Sequence, residues 1–110
     1  MVKFIITFTR PTNLTNFENA YNDLLALVER MPAIQRRQVV NVLGSPGGSP
    51  PYYRILEIYF ESVEQMNESL LSKAGQETGA ELGRRFKAGT YQAFYAEVFE
   101  EAGGSTPEIN

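Results

Sequence analysis

Three segments of this chain are so rich in β-branched and aromatic residues that they have to be strands, and the spacing between them leaves room for helices. They are "VKFIITFT" from Val2 to Thr9, "YYRILEIYFE" from Tyr52 to Glu61, and "TYQAFYAEVFEE" from Thr90 to Glu101. The first ends at Arg10-Pro11, where proline has no amide to extend a ladder. A fourth run, "AIQRRQVVNVL" from Ala33 to Leu43, mixes polar and apolar residues and suits an edge or curved strand.

Helical signals fill the gaps. Thr15 followed by Glu18 reads as a capping box, and Phe17, Tyr21, Leu24, Leu25 and Val28 then recur as one apolar stripe. Pro32 predicts an end near Met31, because proline disfavours helical geometry in the residue before it. Ser62 with Gln65 is a second capping box, opening a short helix with Val63, Met66 and Leu70 on one face. A weaker helix is predicted over Ser72–Lys87, anchored by Leu82 and Phe86, with "RRFK" from Arg84 to Lys87 suiting its C-terminal dipole. The Pro- and Gly-rich "GSPGGSPP" from Gly44 to Pro51 is a connection, since neither regular structure tolerates it. The order is β-α-β-β-α-β with the second crossover split in two. Right-handed crossovers then give an α+β, ferredoxin-like sandwich over residues 1–101, with 102–110 as a flexible polar tail.

Composition removes whole classes of chemistry. The 110 residues include no cysteine and no histidine. Disulfides, Cys/His zinc sites, Ser-His or Cys-His nucleophile pairs and histidine-ligated haem are therefore impossible within the chain. Any chemistry must use carboxylate, Tyr, Lys, Arg, Ser or Thr. The net charge of −3 gives no attraction to phosphate backbones or anionic lipid, so neither nucleic acid nor membrane is expected as a partner. No apolar run reaches the roughly 18 residues that span a bilayer, and the N-terminus lacks a signal-peptide cleavage pattern, so the expected location is the cytoplasm.

Alternation along the strands sorts their side chains into two sets. Val2, Phe4, Ile6 and Phe8, with Leu56, Ile58 and Phe60, are expected under the helices, as are Phe94, Ala96 and Val98. The reverse face is then expected to carry Ile5, Ile55 and Phe99 with Tyr53, Tyr59, Tyr91 and Tyr95, and with Glu57 and Glu97 among them. Such a face is too apolar for water, and a second copy packed against it would close a dimeric α+β barrel.

That interior is where the residues place a site. Glu57 and Glu97 are candidate general bases if desolvation raises their pKa values, or structural carboxylates paired with Arg36 or Arg37 across a dimer. Tyr53, Tyr59, Tyr91 and Tyr95, with Arg36, are candidate ligand-binding residues, and Tyr21 is a helix anchor that also stands as a candidate ligand contact. Gly75, Gly79 and Gly83 fall every fourth residue, which predicts either close backbone approach or a lid. Neither a phosphate-loop nor a dinucleotide pattern occurs, and no metal site is expected, because Glu100 alternates away from Glu97.

The chain resembles EthD-like proteins from Val2 to about Glu101. The resemblance is carried by the strand ending in Arg10-Pro11, the helix with Phe17 and Tyr21, "EIYFES" from Glu57 to Ser62, and "SKAGQETGAEL" from Ser72 to Leu82. It implies a homodimeric α+β barrel binding a small apolar or aromatic molecule, and kinship with cofactor-independent or accessory oxidoreductases of small-molecule degradation or biosynthesis, with no cofactor of its own. The His-x-Pro common in the family near the end of helix one is replaced by Leu25 and Leu27, so no base is carried over there. The family often places Trp where Tyr21 stands. Two other readings are a non-catalytic structural dimer with a filled interior, and an RNA-binding sheet, the latter opposed by the acidic charge and by the missing basic-aromatic signature in the third strand.

Overall fold

The computed structural model describes residues Met1–Glu101; the predicted C-terminal tail, 102–110, lies outside the described residues. The elements are β1 (Val2–Phe8), α1 (Leu14–Val28), β2 (Arg36–Asn41), β3 (Arg54–Phe60), α2 (Val63–Leu71), α3 (Lys73–Arg85) and β4 (Tyr91–Glu97). The sheet order is β2-β3-β1-β4 and every neighbouring pair is antiparallel. This is the α+β, ferredoxin-like βαββαβ arrangement expected from the sequence, with the second crossover divided into α2 and α3.

Each helix starts where its cap is. Asn13 caps α1, its Oδ1 accepting from the Asn16 amide at 3.0 Å, so the expected Thr15–Glu18 box is displaced by two residues. Glu18 is thereby freed for a stronger partner on β3. The Ser62 cap is as expected, accepting from the Gln65 amide at 3.2 Å. Ser72 ends α2 and begins α3, accepting from the Gly75 amide at 3.1 Å. Helix α1 ends at Val28, tightening through Arg30→Leu27 and Met31→Val28 backbone bonds, and Ala33 then turns with φ 67°. A β-carbon in that left-handed region is disfavoured, and the turn delays β2 to Arg36 rather than Ala33.

The core fills the space between sheet and helices. Ile6 and Phe8 of β1 and Leu56, Ile58 and Phe60 of β3 pack against Phe17, Tyr21, Leu24 and Val28 of α1 and Met66 of α2. Those strands follow their expected alternation. Strand β4 does not: Phe8 pairs with Tyr91, Ile6 with Ala93, Phe4 with Tyr95 and Val2 with Glu97. Direct partners in a ladder point to the same side, so Tyr91, Ala93, Tyr95 and Glu97 lie on the helix side, and Gln92, Phe94 and Ala96 on the reverse. The expected assignment of β4 was one residue out of phase, which inverts every side chain.

Candidate functional site

The reverse face is consequently much less aromatic than the sequence suggested. Its rows across β2, β3, β1 and β4 are Arg36-Tyr59-Lys3-Ala96, Gln38-Glu57-Ile5-Phe94 and Val40-Ile55-Thr7-Gln92. Only Tyr59 of the four tyrosines expected there remains within this ladder. It is held by its neighbours: the Arg36 guanidinium lies 4.3 Å from its ring centroid, the Lys3 ammonium 5.6 Å, and its hydroxyl sits 3.2 Å from Gln38 Oε1 and 3.1 Å from Glu57 Oε1. Glu57 also pairs with Lys3 at 3.4 Å. Three predicted residues, Arg36, Glu57 and Tyr59, are thus brought together, but as a mutually satisfied cluster within one chain. Within the chain the charge partner of Glu57 is Lys3 on the adjacent strand.

Glu97 is not part of that cluster. It faces the other side of the sheet, opposite Val2, with β1 between its strand and that of Glu57. Tyr95 is also on that side and is 60% exposed, because no helix lies against β4 among the described residues.

Tyr21 and Tyr53 are brought together on the helix side, around a charged group that sequence reasoning passed over. Arg54 belongs to the inward set of β3, and its side chain is only 12% exposed. Its Nη1 and Nη2 donate to the two Glu18 oxygens at 2.7 and 2.9 Å, and Nε donates to Asn41 Oδ1 at 2.8 Å. The guanidinium lies 4.7 Å from the Tyr21 ring centroid, 5.3 Å from that of Tyr53 and 5.4 Å from that of Phe17. The Tyr53 hydroxyl also donates to Glu18 at 3.3 Å. Hydrogen bonding from Arg54 holds the Glu18 carboxyl below its ordinary range, whereas burial pushes the Tyr21 phenol up to about 12. The Tyr21 hydroxyl is buried and finds no hydrogen-bond partner among the described residues. A charged residue in register with Leu56 and Ile58 was the available signal for this cluster: an inward arginine demands a carboxylate.

Beside it, a cavity of about 380 Å³ opens between the end of β1, the start of α1 and the end of α3. Phe8, Phe17 and Phe86 form its apolar wall, their ring centroids 5.1 to 5.8 Å apart. Thr9, Thr12, Asn13, Asn16 and Thr90 contribute polar lining, and Arg10, Arg85 and Lys87 are its charged residues. Tyr21 stacks on Phe17, Tyr53 meets it edge-on, and Tyr91 packs on Phe86, so three predicted residues buttress this wall from behind. The cavity lies on the opposite side of the sheet from the expected barrel interior. Among the described residues, no group of three or more His, Cys, Asp or Glu side chains comes together as a metal site.

The arrangement defines a class first: a ferredoxin-like α+β protein with a small-molecule-sized cavity under its helices. No protein-family model matches the chain. It is 24% identical over 98 residues to an uncharacterised 11.0 kDa protein in the thcB–thcC intergenic region of Rhodococcus erythropolis, covering 88% of this chain and 95% of that one. Among solved structures, an ethyl tert-butyl ether degradation (EthD) family protein from Bacillus halodurans superposes with a TM-score of 0.84 at 23% identity, covering 90% of this chain and 99% of that one. A dimeric ferredoxin-like protein from Jannaschia gives 0.65 at 13% identity, covering 88% and 98%. SnoaB, a cofactor-independent oxygenase from Streptomyces nogalater, gives 0.65 at 14%, covering 91% and 94%. The fold is that of an EthD family protein, as the resemblance implied.

Proposed function

We propose that this chain is a homodimeric protein that binds a small apolar or aromatic molecule, and that the molecule occupies the cavity between β1, α1 and α3 rather than the space between two sheets. The observation that carries this reading is the cavity itself: about 380 Å³, within the range of ligand sites, with three phenylalanines on one wall and hydroxyl and amide groups on the other. Phe8 and Phe17 are inward residues of the core, and Phe86 follows α3, so the wall is fixed by packing. Dimerisation through the reverse face leaves this cavity open, because the two lie on opposite sides of the sheet. Support for the dimer comes from Ile5, Val40, Ile55 and Phe94 sharing that face, and from the dimeric protein of like fold.

The catalytic extension, a cofactor-independent or accessory oxidoreductase of small-molecule degradation or biosynthesis, draws its support from the fold shared with SnoaB. Glu57 and Glu97 are its acid–base candidates, and replacing each with Gln tests them: turnover of a bound substrate falls if either carries protons and is unchanged if neither does. A structural dimer with a filled interior is the second reading, favoured by the closed Lys3-Glu57-Tyr59-Gln38 cluster, in which the carboxylate is already engaged.

Binding to the native state separates the two. An aromatic compound present at 100 times its Kd adds about 2.7 kcal/mol to native stability and raises Tm accordingly. Asn16→Trp, an exposed substitution on the cavity wall, abolishes that rise if the cavity is the site. An undiminished rise in the variant places the ligand elsewhere.

A further inference from the structure

The cavity is electrostatically opposite to the protein that contains it. The chain carries a formal charge of −3, yet the lining holds Arg10, Arg85 and Lys87 and, among the described residues, no Asp or Glu. Arg85 is neutralised by Asp23 at 2.8 Å and Glu81 at 2.9 Å, both outside the lining. Arg10 and Lys87 have no ion-pair partner among the described residues.

Backbone pairing holds these two cations at the same end of the sheet. The Thr9 amide and hydroxyl both donate to the Thr90 carbonyl, at 2.9 and 3.2 Å, and the Thr90 amide donates to the Lys87 carbonyl at 3.0 Å. Arg10 follows Thr9 directly, so both charges border the aromatic wall of Phe8, Phe17 and Phe86.

Building on the binding reading above, we infer that the ligand is a planar organic anion, an aromatic carboxylate or a compound of the same charge and shape. Its ring system lies against the edges of Phe17 and Phe86, backed by the buried Phe8, and its negative group meets Arg10 and Lys87. A field of one sign lining a partly desolvated cleft concentrates ligands of the other sign and rejects like charge. Cationic aromatic compounds are therefore excluded, and neutral ones bind through the rings alone.

The test compares naphthoate with its neutral isostere naphthamide by titration calorimetry, using the wild-type chain, Lys87→Gln and the Arg10→Gln/Lys87→Gln double variant. Both positions are exposed, and circular dichroism checks each fold. The expected result is naphthoate binding roughly tenfold tighter than naphthamide in the wild type. The ratio falls in Lys87→Gln, approaches one in the double variant, and shrinks with added salt. Equal affinity of the two compounds for the wild type overturns the charge inference and leaves the cavity reading standing. A preference that survives in the double variant overturns it too, by placing the anion elsewhere. If neither compound binds, the cavity reading falls and takes the inference with it.

Discussion

Arg54 of β3 and Glu18 of α1 meet through two parallel hydrogen bonds of 2.7 and 2.9 Å, beneath the rings of Tyr21, Tyr53 and Phe17. The pair fastens the helix that supplies Phe17 to the strand that supplies the core, so it fixes one wall of the cavity. Glu18→Gln leaves a largely buried guanidinium without its counter-charge and is expected to cost about 1–3 kcal/mol by urea unfolding. Because the folded-state pKa of Glu18 lies below the ordinary value of 4.5, its contribution is present above that value and is lost as pH falls through the depressed pKa. The stability gap between wild type and Glu18→Gln therefore narrows on acidification below about 4.5. A gap independent of pH contradicts the pairing.

Tyr21 presents the reverse case, a buried hydroxyl with no partner among the described residues. Tyr21→Phe removes a polar group that has been desolvated without return, and it is expected to be neutral or stabilising by up to about 1 kcal/mol. Burial raises the phenol to about 12, so the folded state holds that proton after an unfolded tyrosine has lost it. With respect to this group, stability is therefore unchanged below about 10 and falls as pH climbs from there towards 12. Absorbance titration is expected to show a late-ionising tyrosine in the wild type that is lost in Tyr21→Phe.

The three glycines spaced four apart are not equivalent. A β-carbon on Gly75 would overlap the Ser69 carbonyl oxygen and lie 2.5 Å from that of Leu70, whereas Gly79 and Gly83 have nothing within 4 Å among the described residues. Gly75→Ala is expected to destabilise by about 1–3 kcal/mol by forcing α2 and α3 apart. Gly79→Ala and Gly83→Ala are each expected to stabilise by about 0.5–1 kcal/mol through helix propensity. Thermal unfolding distinguishes these outcomes, and destabilisation at Gly79 or Gly83 would show that those positions are covered in solution.

Phe94 is 45% exposed and pairs directly with Ile5 at the centre of the reverse face. Phe94→Glu places a charge where a second sheet would pack. Sedimentation at micromolar concentration is expected to give twice 12.4 kDa for the wild type and a single 12.4 kDa particle for the variant. A wild-type monomer contradicts the dimer.

Much of this architecture was legible in the residues. Runs such as "VKFIITFT" and "YYRILEIYFE" have strong strand composition, and Ser62–Gln65 marked α2 correctly. Strand β4 was less readable for a physical reason. "YQAFYAE" carries aromatic residues in both alternating sets, Tyr91 and Tyr95 in one and Phe94 in the other, so the pattern has no contrast. Its phase is set by pairing with β1, a contact more than eighty residues away in the chain. The cavity was invisible for a related reason. Phe8, Phe17 and Phe86 read individually as core residues, and only the Thr9–Thr90 pairing brings Arg10 and Lys87 to their edge. Arg54 sat in plain view within an inward set, and its need for Glu18 was the signal left unread.

The most direct measurement is a map of amide chemical-shift changes in the labelled chain as an aromatic ligand is added. Changes are expected at Phe8, Phe17, Phe86 and Thr90, with Ile5, Glu57 and Tyr59 on the other side of the sheet unmoved. Changes centred on Ile5, Glu57 and Tyr59, with the phenylalanine wall silent, would place the ligand between the sheets and contradict the site assigned to the helix side.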